Sequence, residues 1–288
     1  MTSPEKRGLS APGPRPFLKW AGGKTQLLPE LLSRVPAEYG TYHEPFLGGG
    51  ALFWSLRPSR AVLSDACSDL VTAYVGVQRC VVGVVRELES LLASHTPESY
   101  AAVRAEERSD SLARMAARVV YLNKTCFNGL YRLNRRGQFN VSLGRFASPP
   151  RCDADLLRAC SAALRVPSQH DRDQLAVELR CRDFRDSLNF CAPGDFVYLD
   201  PPYVPTSKTA NFTSFTGAKF GAEEQEELAD RVVILKKMGV HILLSNSGAE
   251  ESVARYECRG LRVERVRARR RISCRADSRG DVTDILVT

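Results

Sequence analysis

Six short runs at 41–46, 60–64, 195–200, 240–245, 261–267 and 282–287 are rich in Val, Ile, Leu or Tyr and bounded by Gly, Pro, Asp or Ser. Runs of that length and composition predict buried strands. Helical patterning lies between several of them, most clearly over 222–245. Glu223, Glu224, Glu226 and Glu227 occupy its first turns and Lys236 and Lys237 its last, which complements a helix dipole. Leu228, Val232 and Leu235 supply the buried stripe, Gly239 sits where a helix stop belongs, and 240–245 follows as a buried strand. Helix-then-strand alternation of this kind predicts an α/β sheet with parallel strands. From about 68 to 152 the pattern changes: Leu112, Met115, Val119 and Leu122 recur with helical spacing and strand signals are scarce. Residues 128–146, polar and basic with Gly129, Gly137 and Gly144, read as a loop or hairpin on an inserted helical subdomain. The expected division is a tail at 1–15, a main domain formed by 16–67 with 153–288, and the insertion 68–152.

Composition narrows the class. With 26% charged residues the chain is too polar for a membrane bundle. Its longest apolar stretches, 75–85 and 232–244, are interrupted by Gln78, Arg79, Lys236 and Lys237, so no spanning segment is expected. The Pro- and Gly-bearing N-terminus lacks the apolar core of a signal peptide, and the expected location is the cytoplasm. Nine cysteines form no Cys-x-x-Cys pair and the four histidines do not cluster with them, so neither a metal site nor a disulfide framework is expected. The excess of 41 Lys and Arg over 33 Asp and Glu gives +8, which suggests a polyanionic partner.

The most informative residues are Asp200, Pro201, Pro202 and Tyr203, directly after the apolar run 196–199. Open α/β sheets bind ligands beyond the carboxyl ends of their strands. The prolines stiffen the backbone, and a carboxylate beside the Pro201 carbonyl makes an acceptor pair for an amino group with two hydrogens. Tyr203 adds an aromatic face. A strand ending in a Pro-rich turn explains the bare tetrapeptide equally well.

Context adds weight. Glu44-Pro45-Phe46-Leu47-Gly48-Gly49-Gly50 also follows a strand, and its glycines let backbone approach a ligand. A dinucleotide fingerprint would need a third glycine where Phe53 stands. Asp65, 17 residues after Gly48, sits near the spacing of a ribose-binding acid, although a turn or helix-cap role is the common one for such a residue. Gly23-Lys24-Thr25 is not a P-loop, because Leu18 stands where that motif needs its first glycine. What remains is a glycine turn carrying Trp20 and Lys24, able to pack on an adenosine and hold a carboxylate.

These landmarks, in this order, resemble the Dam-type (D12 class) site-specific DNA adenine-N6 methyltransferases: 17–24, 44–50, Ser64-Asp65, 123–146, Asp200 to Tyr203 with Asn211-Phe212-Thr213, then Leu244-Ser245-Asn246 and 270–273. The resemblance implies a Rossmann-like, S-adenosylmethionine-dependent methyltransferase sheet with an inserted, mainly helical target-recognition subdomain. It implies S-adenosyl-L-methionine as donor, S-adenosyl-L-homocysteine as product and no metal. Asp200, Pro201, Pro202 and Tyr203 would be catalytic, acting on N6 of an adenine swung out of duplex DNA. Trp20, Lys24, Glu44, Phe46, Gly48, Asp65, Asp183, Phe184 and Asp200 would line the cofactor. For Asp183 and Phe184 an ordinary strand end with a core aromatic serves equally well.

The segment 128–141 makes sense on its own terms, since Arg pairs bidentately with guanine and Asn with adenine. By resemblance Arg132 and Asn134 would read bases, while Lys19, Asn128, Arg136 and Arg145 would touch bases or phosphates. The implied target is GATC in double-stranded DNA. One departure is Ser142, where the family commonly has proline. Ten arginines within 255–279 fit either phosphate contact, which we assign to 269–275, or an exposed ribbon for the rest. A monomer is expected, with a cognate restriction endonuclease as one candidate partner. A cytosine-N4 enzyme, or one acting on RNA or a protein amide, shares this chemistry, but the resemblance puts Ser or Asn at position 200 in the cytosine and protein-amide cases. A noncatalytic DNA-binding protein on the same fold predicts damage to the tetrapeptide or glycine loop, and both are intact.

Overall fold

The computed structural model describes residues 13–107, 109–134, 136–146, 148, 150–168, 174–203, 220–269 and 281–288. The tail up to residue 12, Asn211-Phe212-Thr213 and 270–273 lie outside them, and of the 269–275 arginines only the backbone of Arg269 lies within.

Seven strands form one sheet: β1 (Tyr42–Glu44), β2 (Ala61–Asp65), β3 (Val177–Cys181), β4 (Phe196–Leu199), β5 (His241–Ser247), β6 (Val263–Arg269) and β7 (Asp281–Val287). Their order is β3-β2-β1-β4-β5-β7-β6. The first five pair in parallel, and β7 runs antiparallel between β5 and β6. All six expected strands are present. The seventh, β3, carries no such apolar signal because Glu178 and Arg180 break its run at the open edge beyond β2. An edge strand with one covered face needs no continuous apolar run.

Side chains alternate cleanly across the sheet. Phe196, Tyr198 and Leu243 join one core, while Val197, Leu199, Ile242 and Leu244 join the other. The second core is closed by α8 (Ala222–Lys237) and α9 (Glu250–Glu257) through Leu228, Val232, Leu235 and Tyr256. The predicted stop of α8 is where the chain reaches Gly239, at φ 86°. The first core takes α3 (Ser68–Ala93), α5 (Leu112–Thr125) and α6 (Ala154–Leu164). The remaining helices are α1 (Leu28–Leu32), α2 (Ala51–Leu56), α4 (Pro97–Ala105) and α7 (Phe184–Leu188).

Helix α3 corrects one expectation. Gln78 and Arg79 do not interrupt it, and among the described residues it is long and apolar enough to cross a membrane by length and composition alone. Here it is a core helix: half of that apolar window is buried inside the protein. Gln78 is itself buried and donates to the carbonyls of Leu164 and Val177 at 2.8 and 2.9 Å, tying α3 to α6 and β3. The backbone departs from helix at Cys80 (φ −143°, ψ 43°).

Residues 126–143 fold into a short hairpin, with bridges Leu133 to Phe139 and Cys126 to Leu143. Tyr131, Phe139 and Val141 are buried in the same core as α3, α5 and the sheet, so 68–152 shares its core with the strands.

Candidate active site

Strand order reverses between β1 and β4, which lie side by side. Ligands of open α/β sheets bind at such a switch point. The Glu44 to Gly50 loop leaves β1 there, and Asp200 to Tyr203 leaves β4 beside it. The two strongest sequence signals therefore meet in space.

The Asp200 carboxylate is clamped from two elements. Lys24 Nζ approaches its Oδ1 at 2.7 Å, and Ser245 Oγ on β5 donates to the same oxygen at 3.0 Å. Ser245 lies 3.1 Å from the Tyr198 hydroxyl. Both bonds fall on Oδ1, so Oδ2 is the oxygen left to face a ligand. Burial pushes the Asp200 carboxyl above its usual range, and Lys24 and Ser245 oppose that by favouring the anion. Lys24, only 8% exposed, also donates to the Gly22 carbonyl at 3.0 Å and lies 4.6 Å above the Tyr203 ring. The lysine expected to hold a carboxylate thus holds the chain's own. The Tyr203 hydroxyl donates to Asp284 Oδ2 on β7 at 3.1 Å.

The glycine loop lets an indole pack directly on its backbone. Gly48 has φ 47°, and a Cβ there would come within 2.9 Å of Trp20 Cδ1. Trp20 in turn stacks on Tyr131 at 5.0 Å. Asp65 ends β2 and accepts from the backbone N–H groups of Gly48 (3.0 Å) and Cys67 (2.9 Å), so it clasps the loop from the next strand. Phe46 stacks on Phe184 at 5.6 Å, and Phe220 meets Phe46 edge-on at 5.6 Å. Asp183 caps α7 by accepting from the Arg185 N–H at 3.0 Å, and it pairs with the Arg185 guanidinium at 3.2 Å. A nucleoside-bearing cofactor fits this set: glycine backbone against an indole, three phenyl rings, and carboxylates able to accept ribose hydroxyls or face a cation.

Two carboxyls here are held far from their ordinary ranges. Glu44, buried and receiving the Tyr42 hydroxyl at 2.8 Å, is pushed from 4.5 to about 8, chiefly by desolvation. Desolvation likewise takes Asp65 from 3.8 to about 6. Each carboxyl binds its proton more tightly folded than unfolded. The stability these two groups contribute is therefore fully present below their unfolded values and is lost as pH rises through the folded ones, with Glu44 the last to titrate, up to about 8. Urea midpoints should drop between about pH 6.5 and about pH 8.5, and Glu44→Gln should shrink that drop. An undiminished drop in the variant would show that Glu44 is not its source.

The DNA-reading candidates cluster on the exposed hairpin and beside it. Lys19 is joined to α5 through its backbone, giving its N–H to Asn123 Oδ1 at 2.8 Å and taking Asn123 Nδ2 on its carbonyl at 2.7 Å. Its side chain lies against Gly129. Asn128 is exposed at φ 55°, and Arg136 and Arg145 are exposed. Arg132 is exposed, and its Nε donates to Asn140 Oδ1 at 2.7 Å, which fixes the direction of the guanidinium. Asn134 is engaged differently: its Oδ1 accepts from the Arg136 and Gln138 N–H groups at 2.9 and 3.0 Å, and its Nδ2 donates to Gln138 Oε1 at 3.0 Å. Its amide shapes the hairpin turn. Ser142 is exposed, and its carbonyl accepts from the Phe127 N–H at 2.9 Å.

The arginines at 255–265 pair with acids of neighbouring elements: Arg255 with Glu226 (2.7 Å), Arg259 with Asp230 (2.7 Å), Arg262 with Glu264 (2.6 Å) and Arg265 with Glu250 (2.7 Å). That accords with a structural role for them.

Sequence reasoning missed Ser245 as a holder of Asp200, Asp284 as the partner of Tyr203, and Gln225. Gln225 is fully buried and donates to the Pro202 carbonyl at 2.8 Å. A signal was present, because Gln225 stands three residues before Leu228 on the buried stripe of α8, where an apolar residue belongs.

Comparison with known proteins identifies the family. The family model of the D12 class N6 adenine-specific DNA methyltransferase matches residues 20–272. A type II methyltransferase of Lactococcus lactis subsp. cremoris, M1.LlaDCHI, is 36% identical over 95% of each chain. The type II methyltransferase M.MjaIII of Methanocaldococcus jannaschii is 36% identical, covering 93% of this chain and 96% of its own. The DNA adenine methylase of Escherichia coli K12 is 34% identical over 94% of each. With glycine loop, tetrapeptide and switch point all in place, the chain belongs to the D12 class of N6 adenine-specific DNA methyltransferases.

Proposed function

We propose that this enzyme transfers a methyl group from S-adenosylmethionine to N6 of an adenine flipped out of duplex DNA, within GATC. The observation that carries it is the Asp200 carboxylate, held through Oδ1 by Lys24 and Ser245 at the β1–β4 switch point beside the glycine loop. S-adenosylmethionine, when bound, supplies an electrophilic methyl on a cationic sulfur. Trp20, the Gly48 backbone, Phe46, Phe184 and Asp65 hold it, with Asp65 accepting its ribose hydroxyls.

The adenine amine is a poor nucleophile because its lone pair is delocalised into the ring. Asp200 Oδ2 and the Pro201 carbonyl accept its two hydrogens and favour the pyramidal nitrogen of the transition state more than the planar ground state. Positive charge grows on N6 as the bond forms, and the nearby carboxylate stabilises it. Tyr203, braced by Asp284, stacks on the extruded base, which costs a few kcal/mol to unpair. Positioning then supplies much of the rate; as the carbon–sulfur bond breaks the donor would leave as the neutral thioether S-adenosylhomocysteine, and the methylated nitrogen gives its extra proton to solvent without a strong base.

Arg132 and its neighbours on the hairpin read the sequence, while Lys19, Arg136 and Arg145 grip bases or phosphates. The protein works as a monomer on cytoplasmic DNA. Relatives named type II methyltransferases make a restriction endonuclease of the same specificity the partner to seek. Labelled-methyl transfer into duplexes that differ by one base pair within GATC tests the whole reading. Transfer into the GATC duplex above all single-base variants is expected. Equal transfer to every duplex would overturn the target, and tight DNA binding without transfer would overturn the reaction.

A further inference from the structure

We infer that Gln225, oriented by Asn246, is a positioning residue that sets the backbone of the catalytic tetrapeptide. Ser245 and Asn246 are consecutive on β5, so their side chains leave opposite faces of the sheet. Ser245 reaches Asp200 on one face. On the other, Asn246 Nδ2 donates to Gln225 Oε1 at 3.0 Å, and Gln225 Nε2 donates to the Pro202 carbonyl at 2.8 Å. The first and third residues of the tetrapeptide are thus held from both sides of one strand.

The direction of this relay is determined. Asn246 Oδ1 accepts from the Ser247 N–H at 2.8 Å, so its amide group cannot turn over without setting its own N–H groups against that donor; its Nδ2 also reaches the Tyr256 hydroxyl at 3.2 Å. That leaves Gln225 Oε1 as the acceptor and points its Nε2 at Pro202. Only a side chain that accepts at one end and donates at the other can serve here, and a primary amide of this length does. Gln225, Asn246 and Tyr256 are all 1% exposed or less, so water does not compete. Since Pro202 cannot donate, its carbonyl is the one polar backbone group it offers. Gripping it fixes the peptide plane that follows the Pro201 carbonyl, the second acceptor for the adenine amine.

The inference rests on the proposed reaction, and its tests separate the two. With the full chain, S-adenosylmethionine and a GATC duplex, Gln225→Met should lower kcat about tenfold with both KM values within about twofold, as expected for an interaction that matters in the transition state. Gln225→Glu keeps the shape. Protonated, it can still donate to Pro202; ionised, it cannot. Its kcat should approach wild type at low pH and fall towards that of Gln225→Met as pH rises, beyond the wild-type profile. Unchanged kcat in Gln225→Met, a loss confined to KM, or a Gln225→Glu profile parallel to wild type would each overturn the inference. If Gln225→Met does not fold, Gln225→Glu carries the kinetic test. Hydrogen exchange at the Asp200 and Tyr203 amides should quicken in the variants whether or not the wild type transfers methyl. Unchanged exchange would refute the restraint itself, whereas a wild-type chain with quickened variants but no transfer would refute only the reaction.

Discussion

Asp200→Ala should reduce methyl transfer at saturating DNA and cofactor by at least about 100- to 1000-fold, the cost of deleting one preorganised group aimed at transition-state charge. The fold should survive. Asp200 follows β4 rather than lying within it, and burial already disfavours its charge. Lys24 keeps the Gly22 carbonyl and the Tyr203 ring after the carboxylate is gone. Far-ultraviolet circular dichroism and the urea midpoint should stay close to wild type, and cofactor affinity should fall less than turnover. Asp200→Asn, which keeps one acceptor oxygen, should retain more activity than alanine. Near-native turnover in Asp200→Ala would remove this residue from the chemistry.

The second large effect concerns sequence choice. Arg132→Ala should cut discrimination between GATC and its single-base variants by up to about 3 kcal/mol, the upper range for a bidentate arginine–guanine pair. Affinity for unrelated duplex should change little, because one arginine among several basic residues is a small part of the phosphate term. The bond from Arg132 Nε to Asn140 aims the guanidinium before DNA arrives, so Asn140→Ala should weaken discrimination in the same direction by less. Ratios of kcat/KM across the single-base variants report both. Unchanged ratios in Arg132→Ala would place the reading elsewhere on the hairpin.

Local features are legible in the amino-acid sequence. The inner strand β4 is buried on both faces and so reads as an unbroken apolar run, and α8 shows itself through its terminal charges and Gly239. Motifs contained within a few residues, such as Glu44 to Gly50 or Asp200 to Tyr203, are legible for the same reason. Pairings that depend on register across the sheet are not. Lys24, in the turn ahead of α1, meets Asp200 beyond β4 only once the chain has folded, and Tyr203 meets Asp284 only because β7 inserts between β5 and β6. Asn134 shows the converse: its residue type suits base reading, yet the turn engages its amide. The edge strand β3 is hidden by its own charges, and the apolar length of α3 by polar residues, of which Gln78 bonds inside the core.

The central claim is that an acceptor pair at the end of β4 grips the amino group of adenine. Incubating the wild-type chain with isotopically labelled S-adenosylmethionine and duplex DNA, then digesting to nucleosides and separating them by mass, tests it directly. The label should appear in N6-methyldeoxyadenosine and disappear with Asp200→Ala. Label in N4-methyldeoxycytidine, or in N6-methyldeoxyadenosine at equal yield from both proteins, would contradict it.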